Sequence, residues 1–200
     1  LSQLRKFSVC VIARYYGGMI VCIIQARIGS TRLPGKVLKP ILGKPMLVHQ
    51  LERVKQSRLV DKVVVATTTK REDDPIVDLA QQAGVACFRG SELDVLDRYY
   101  QAAKEAKANI VIRVTGDCPL SDPGVIDETI EYFLKHREEL DYTSKPTNYP
   151  EGLDMEIFPF SVLERAWKEG MKPSEREHVT PYMYTHPEIF RTRTWQSGVG

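Results

Sequence analysis

At 200 residues the chain is long enough for one ordinary domain or two small ones, and it needs no disulfide or metal staple to hold a core. Hydrophobic residues make up 42% and charged residues 27%, a balance that excludes a disordered, collagen-like or coiled-coil protein, and no apolar run approaches the roughly 20 residues needed to cross a bilayer. The formal charge of +2 conceals a gradient: residues 1–60 hold 11 Lys or Arg against the single acid Glu52, a net +10, whereas residues 61–200 sum to −8. Such a split suggests one wall for an anion and another able to hold a metal cation.

Residues 1–18 read as an extension ahead of the first strand. Their apolar stretch, 7–13, is short for a signal peptide, and Arg14-Tyr15-Tyr16 is no small-residue cleavage site. Continuous apolar runs then predict strands covered on both faces at 20–26, 62–66, 85–88 and 109–114. Helical periodicity fills the intervals. Leu47, Leu51 and Val54 mark a helix over 45–57, and Asp74 caps one over 75–83 with proline at its first position. Leu96, Tyr100 and Ala103 mark 94–106, and Asp122 caps 123–136, where Ile126, Ile130 and Phe133 share a face. Alternation of this kind predicts βαβ units and a mostly parallel sheet. Beyond residue 140 the pattern is less regular, with strands expected at 141–144, 155–158 and 191–195. Capping boxes, Ser161 with Glu164 and Ser174 with Glu177, open two further helices. The whole reads as a single α/β domain. Its cysteines, Cys10, Cys22, Cys87 and Cys118, form no C-x-x-C pair, which points to reduced thiols and a cytoplasmic location.

In such sheets ligands bind beyond the carboxyl ends of the strands, and three of these ends carry chemistry. After 20–26 comes Arg27-Ile-Gly29-Ser30-Thr31-Arg32-Leu-Pro34-Gly35-Lys36, with glycines for close backbone approach and three cations suited to a polyphosphate. Five residues separate Gly29 from Gly35 and Val37 follows Lys36, so this is not a Walker A loop; no G-x-G-x-x-G occurs either. The second end, Thr115-Gly116-Asp117-Cys118-Pro119, offers a carboxylate to hold Mg²⁺ against a triphosphate, or simply to cap a turn. The third is Thr67-Thr68-Thr69, hydroxyls for a base or ribose. Farther on, Asp154 and Glu156 alternate along an expected strand, where they would complete a metal site or bind acceptor hydroxyls. Arg176 and His178 have no capping role and are candidates for an acceptor's anionic group.

The run Ile24-Gln-Ala26-Arg27 through Lys36, followed by Gly43-Lys-Pro-Met46, resembles the sugar cytidylyltransferases that activate Kdo and acylneuraminate. Ala66-Thr-Thr-Thr, Glu72-Asp-Asp-Pro-Ile76, Asp94-Val-Leu-Asp97-Arg98-Tyr-Tyr100, Thr115-Gly-Asp-Cys-Pro119 and Ser174-Glu-Arg-Glu-His-Val-Thr-Pro-Tyr182 narrow the resemblance to the spore coat polysaccharide biosynthesis protein F group, over about 20–194. It implies a three-layer, Rossmann-like nucleotide-diphospho-sugar transferase fold and a reaction of CTP with a sugar that releases pyrophosphate, assisted by Mg²⁺. Arg27, Arg32 and Lys36 would then hold the triphosphate, with Ala26, Gly29 and Ser30 in close contact. Asp117 matches the family's metal aspartate, and Thr67 and Arg98 fall where relatives line the nucleotide pocket. A homodimer is implied on the same ground. Relatives commonly continue into a D-[TS]-x-x-D-like segment that helps bind the metal; without it, either Asp154 or Glu156 would supply the second carboxylate or the chain would be a truncated, impaired version of the enzyme. A glycosyltransferase of the same fold type is the alternative enzyme, although it would favour D-x-D where Asp117 is followed by Cys118 and Pro119. A nucleotide-binding protein without turnover is the alternative outside enzymes. Nucleic-acid binding is disfavoured, because stacking aromatics do not interleave the basic loop.

Overall fold

Successive residues of the first strand, β1 (Ile20–Gln25), face two different cores: Ile20, Cys22 and Ile24 enter one, Val21 and Ile23 the other. That alternation, expected of a pleated strand, makes the molecule three-layered. The computed structural model describes residues 18–30 and 33–198, so the expected extension, except for Gly18, lies outside the described residues. A 3₁₀ turn at Lys36–Leu38 leads to a small hairpin of β2 (Pro40–Ile41) and β3 (Lys44–Pro45), then to α1 (Met46–Val54). There follow β4 (Lys62–Thr68), α2 (Asp74–Gln82), β5 (Ala86–Gly90), α3 (Val95–Glu105), β6 (Ile110–Thr115) and α4 (Pro123–His136). The remainder is β7 (Tyr142–Ser144), β8 (Glu156–Pro159), α5 (Phe160–Glu169), α6 (Pro173–His178), α7 (Pro181–Tyr184) and β9 (Thr192–Arg193).

The main sheet has seven strands in the order β5-β4-β1-β6-β8-β7-β9. β5, β4, β1 and β6 are parallel, β8 runs antiparallel to both β6 and β7, and β9 pairs parallel with β7. One face is covered by α1, α2 and α4 through Leu47, Leu51, Ile76, Ile126, Ile130 and Phe133. The other is covered by α3, α5 and α7 through Leu96, Tyr99, Ala103, Leu163 and Met183. The chain leaves β1 toward β4 on one side and returns to β6 on the other. The β1/β6 seam is therefore the topological switch point, where this class of sheet opens a crevice for ligands.

Several helix starts differ from the sequence expectation. Asp73, not Asp74, takes the N-cap position of α2, and its side chain makes no capping hydrogen bond. Neither S-x-x-E pattern forms a capping box, because both helices start upstream of the serines, α6 with proline at its first position. α5 begins directly after Pro159, and α6 begins on Pro173, leaving Ser161 and Ser174 inside their helices. In α6 the reach-back comes from Glu175, whose Oε2 accepts from the backbone N–H groups of Lys172 at 2.9 Å and Met171 at 3.0 Å. Asp122 does cap α4, its Oδ1 accepting from Gly124 N at 2.8 Å and Val125 N at 3.2 Å.

Candidate active site

At the switch point Gln25 stands in register with Thr115, and the N–H of Gly116 donates to Gln25 O at 2.8 Å. A Cβ at position 116 would lie 2.7 Å from that oxygen, so only glycine lets the loop after β6 turn across the end of β1. The loop after β1 is folded by its own carbonyl at Ile28, which accepts from Ser30 N at 2.7 Å and Gly35 N at 2.9 Å. Gly35, at φ 67°, then reverses the chain into the 3₁₀ turn that begins with Lys36. From outside, the fully buried Asp73 anchors the loop: its Oδ1 accepts from Ile28 N at 2.7 Å, and its Oδ2 accepts from the Thr68 hydroxyl.

These two loops bring Lys36 Nζ to 2.6 Å from Asp117 Oδ2. Partial burial works against the charge on Asp117. The hydrogen bonds from Lys36 and the Thr115 hydroxyl, with the Lys36 charge, outweigh it and hold the carboxyl below its ordinary range. The pair lies in a cleft of about 800 Å³ whose lining includes Ala26, Arg27, Ser30, Glu92, Arg98, Arg113, Arg176 and His178. Arg27 lies 3.6 Å from Glu92, which also takes Lys70 at 2.6 Å. Arg98 is fully buried; its Nη1 donates to Ser91 O at 2.5 Å while its Nε has no hydrogen-bond partner. Burial pushes the Arg98 pKa down, but a guanidinium keeps its charge, so the cleft wall presents an under-satisfied cation.

A smaller cavity of about 290 Å³ adjoins the cleft and shares Arg113 and Thr115 with it; Ser144, Lys145, Thr147, Asp154, Met155 and Glu156 complete its lining. The sequence candidates therefore divide. Ala26, Arg27, Ser30, Lys36, Arg98, Asp117, Arg176 and His178 line the cleft, Asp154 and Glu156 line the adjoining cavity, and Arg32 lies outside the described residues. Gly29 lies in the folded loop near Glu72, whose Oε1 would be 3.4 Å from a Cβ there. Thr67 is fully buried, does not line the cleft, and leaves its hydroxyl without a partner.

Two of the residues expected at the acceptor prove to have structural partners. Glu156 is ion-paired with Arg113, and its Oε1 accepts from Tyr142 Oη at 2.6 Å and Thr180 Oγ1 at 2.8 Å. The expectation that Arg176 lacks a structural role is corrected: its Nε donates to Asp94 Oδ2 at 3.0 Å and its Nη1 to Trp167 O at 2.8 Å. The guanidinium thus ties α5 to the cap of α3, whose Asp94 Oδ1 accepts from Asp97 N at 2.9 Å. His178 is exposed at the end of α6, just before the buried Val179, whose φ of 74° is a strained conformation for a β-branched residue. Residue patterns did not single out Asp73, Gln50, Arg113 or Glu92. Asp73 lies within Glu72-Asp-Asp-Pro75, where no local pattern marks its reach to the basic loop.

Among the described residues no three His, Cys, Asp or Glu gather into a metal cluster. Mg²⁺ needs no such cage, since it takes one or two carboxylates together with substrate phosphate oxygens and water. An ionised Asp117 facing the cleft fits that requirement. Asp154 sits in the adjoining cavity, its Oδ2 accepting from Gly152 N at 2.9 Å and its Oδ1 lying 3.7 Å from Lys145 Nζ.

A mostly parallel sheet with a cationic cleft at its switch point, built from a glycine-containing loop and an ionised aspartate, defines a nucleotidyltransferase of the α/β kind. The cytidylyltransferase family model matches residues 21–199, and the chain belongs to that family. It is 47% identical over 172 residues to an uncharacterized protein of Methanocaldococcus jannaschii, covering 86% of this chain and 70% of that one. It is 36% identical over 179 residues to the spore coat polysaccharide biosynthesis protein SpsF of Bacillus subtilis, covering 87% of this chain and 73% of that one. A solved cytidylyltransferase structure from Leptospira borgpetersenii superposes with a TM-score of 0.86 at 37% identity, over 91% of this chain and 77% of that one.

Proposed function

We propose that the chain transfers CMP from CTP to a sugar in the synthesis of a surface or spore-coat polysaccharide, with Mg²⁺ as its metal. The observation that carries this reading is the 2.6 Å approach of Lys36 to Asp117 across the switch-point cleft, with Arg27 and the buried Arg98 on its walls. A sugar hydroxyl oxygen bonds to the α-phosphorus and gives up its proton to solvent, the bond from that phosphorus to the bridging oxygen breaks, and pyrophosphate leaves. Arg27 and Lys36 bind and orient the triphosphate, and the backbone of Gly29 and Ser30 closes against it. Mg²⁺, when bound at Asp117, offsets charge on the phosphate oxygens. Such transfers depend on positioning and electrostatics, and the cleft supplies both from fixed loops. The relatives' names support a sugar acceptor of cell-surface polysaccharide, and the free thiols of Cys22, Cys87 and Cys118 suit a reducing cytoplasm. Calorimetric titration with CTP, ATP, GTP and UTP, each with and without Mg²⁺, is the test. Selective, Mg²⁺-enhanced binding of CTP is the expected result, followed by pyrophosphate release in an acceptor screen. Absence of binding by all four overturns the reading.

A further inference from the structure

The buried stripe of α1 is Leu47, Gln50, Leu51 and Val54, three aliphatic residues and one amide. Gln50 is fully buried, and its Oε1 has no hydrogen-bond partner. An aliphatic residue there would satisfy the core better, so stability does not explain the amide. Its Nε2 does: the two hydrogens go to Thr115 O at 2.8 Å and Ser121 Oγ at 3.3 Å. Those atoms stand at the two ends of the loop that carries Asp117. Ser121 Oγ in turn donates to Cys118 O at 2.8 Å, and one turn further along α1 Arg53 Nε donates to Ser121 O at 2.8 Å. The loop is therefore gripped at both ends from the helix that follows the Lys36 segment. Thr115, held through its carbonyl by Gln50, stands two residues before Asp117 at the start of that loop.

We infer that Gln50, seconded by Arg53, is a positioning residue that fixes the Asp117 carboxylate for the metal–nucleotide complex. The inference rests on the CTP reading above. Loss of the amide leaves Thr115 O with only the 3.3 Å hydrogen bond from Cys118 N inside the same loop and lets the Asp117 carboxylate wander, and outer-shell supports of this kind are worth about ten-fold or more in metal affinity. Contacts of the nucleotide with Arg27 and Lys36 do not pass through Gln50 and stay in place.

The test is calorimetry of CTP binding with and without Mn²⁺ on the unaltered chain, Gln50→Met and Arg53→Met, with melting temperatures recorded alongside. In Gln50→Met the Mn²⁺ enhancement of CTP affinity is expected to shrink about ten-fold, while metal-free CTP affinity stays within about two-fold of the unaltered chain. Arg53→Met, at a part-exposed position, moves the same way by less and decides the matter if Gln50→Met fails to fold. A purely structural role would lower the melting temperature and leave the enhancement ratio unchanged, which overturns the inference and spares the CTP reading. No metal-enhanced CTP binding by the unaltered chain overturns both.

Discussion

Lys36 Nζ and Asp117 Oδ2 meet at 2.6 Å although 81 positions separate them in the chain. The contact spans the β1/β6 seam, so it joins the basic loop to a carboxylate of the cleft. Both side chains keep solvent access, 25% for Lys36 and 42% for Asp117, and an ion pair so placed adds only about 0–1 kcal/mol to stability. On the proposed function its value lies in ligand binding. Lys36→Met and Asp117→Asn are each expected to lower the rate of pyrophosphate release by about 10²-fold or more, while melting temperatures fall by no more than a few degrees. A large fall in melting temperature with little loss of rate would assign the pair to the scaffold instead.

The same pair sets a pH dependence. Asp117 is held below its ordinary 3.8, so the folded state keeps the carboxylate ionised where the unfolded chain would protonate it. The resulting stabilisation is present in full above the unfolded value and is lost as pH falls through the lower folded one. Between pH 7 and 5 Asp117 contributes no change in stability. Acid unfolding of Asp117→Asn should therefore parallel that of the unaltered chain above pH 5, and the two curves should converge as pH falls below 3.8 and through the lower folded value. Divergence within pH 5–7 would show that the carboxyl is not depressed.

Two glycines beside the cleft should fail in different ways. At Gly116 a Cβ would stand 2.7 Å from Gln25 O, a backbone atom that cannot swing aside. Gly116→Ala must push β6 from β1 at their carboxyl ends, an overpacking cost of about 1–3 kcal/mol together with loss of CTP binding. At Gly35 a Cβ meets nothing within 4 Å, but φ is 67°. Gly35→Ala therefore carries only the left-handed penalty, about 1–2 kcal/mol. Denaturant titration reads the first quantity and calorimetry with CTP the second. Retained CTP affinity in Gly116→Ala would show that the seam tolerates widening.

The strands, the crossovers and the residues on the two strand-end loops were legible because each depends on neighbours in sequence. A buried strand declares itself by its apolar run, and Arg27, Lys36 and Asp117 sit within a few residues of such a run. What stayed hidden was made by distant pairing. Asp73 reaches Ile28 across 45 positions, and Arg176 reaches Asp94 across 82. No local pattern announces that Arg176 will be consumed by a helix cap on another element. The serines at 161 and 174 misled for a smaller reason: both helices start upstream of them, so neither stands at the cap its S-x-x-E spacing implied. Asp154 and Glu156 do alternate, yet only Glu156 belongs to a strand, so the shared face implied by a strand over both never forms.

Arg113 and Glu156 offer the sharpest test of what holds the cleft wall. Their side chains are 15% and 16% exposed, they pair between β6 and β8, and Arg113 also lies 5.8 Å from the centroid of the Tyr99 ring. Taking both charges out of water is costly, and the return depends on the hydroxyls of Tyr142 and Thr180 that donate to Glu156. Removing one partner strands the other charge. Glu156→Leu and Arg113→Met should therefore each destabilise by about 3–5 kcal/mol in urea titrations. Arg113→Met combined with Glu156→Leu leaves no buried charge and should recover much of that loss, giving a coupling energy of opposite sign to the single effects. Because Arg113 lines both the cleft and the adjoining cavity, the double variant is also expected to lose turnover while remaining folded. Additive losses in the double variant would mean that the two side chains act separately and that the wall is held by the apolar packing around them.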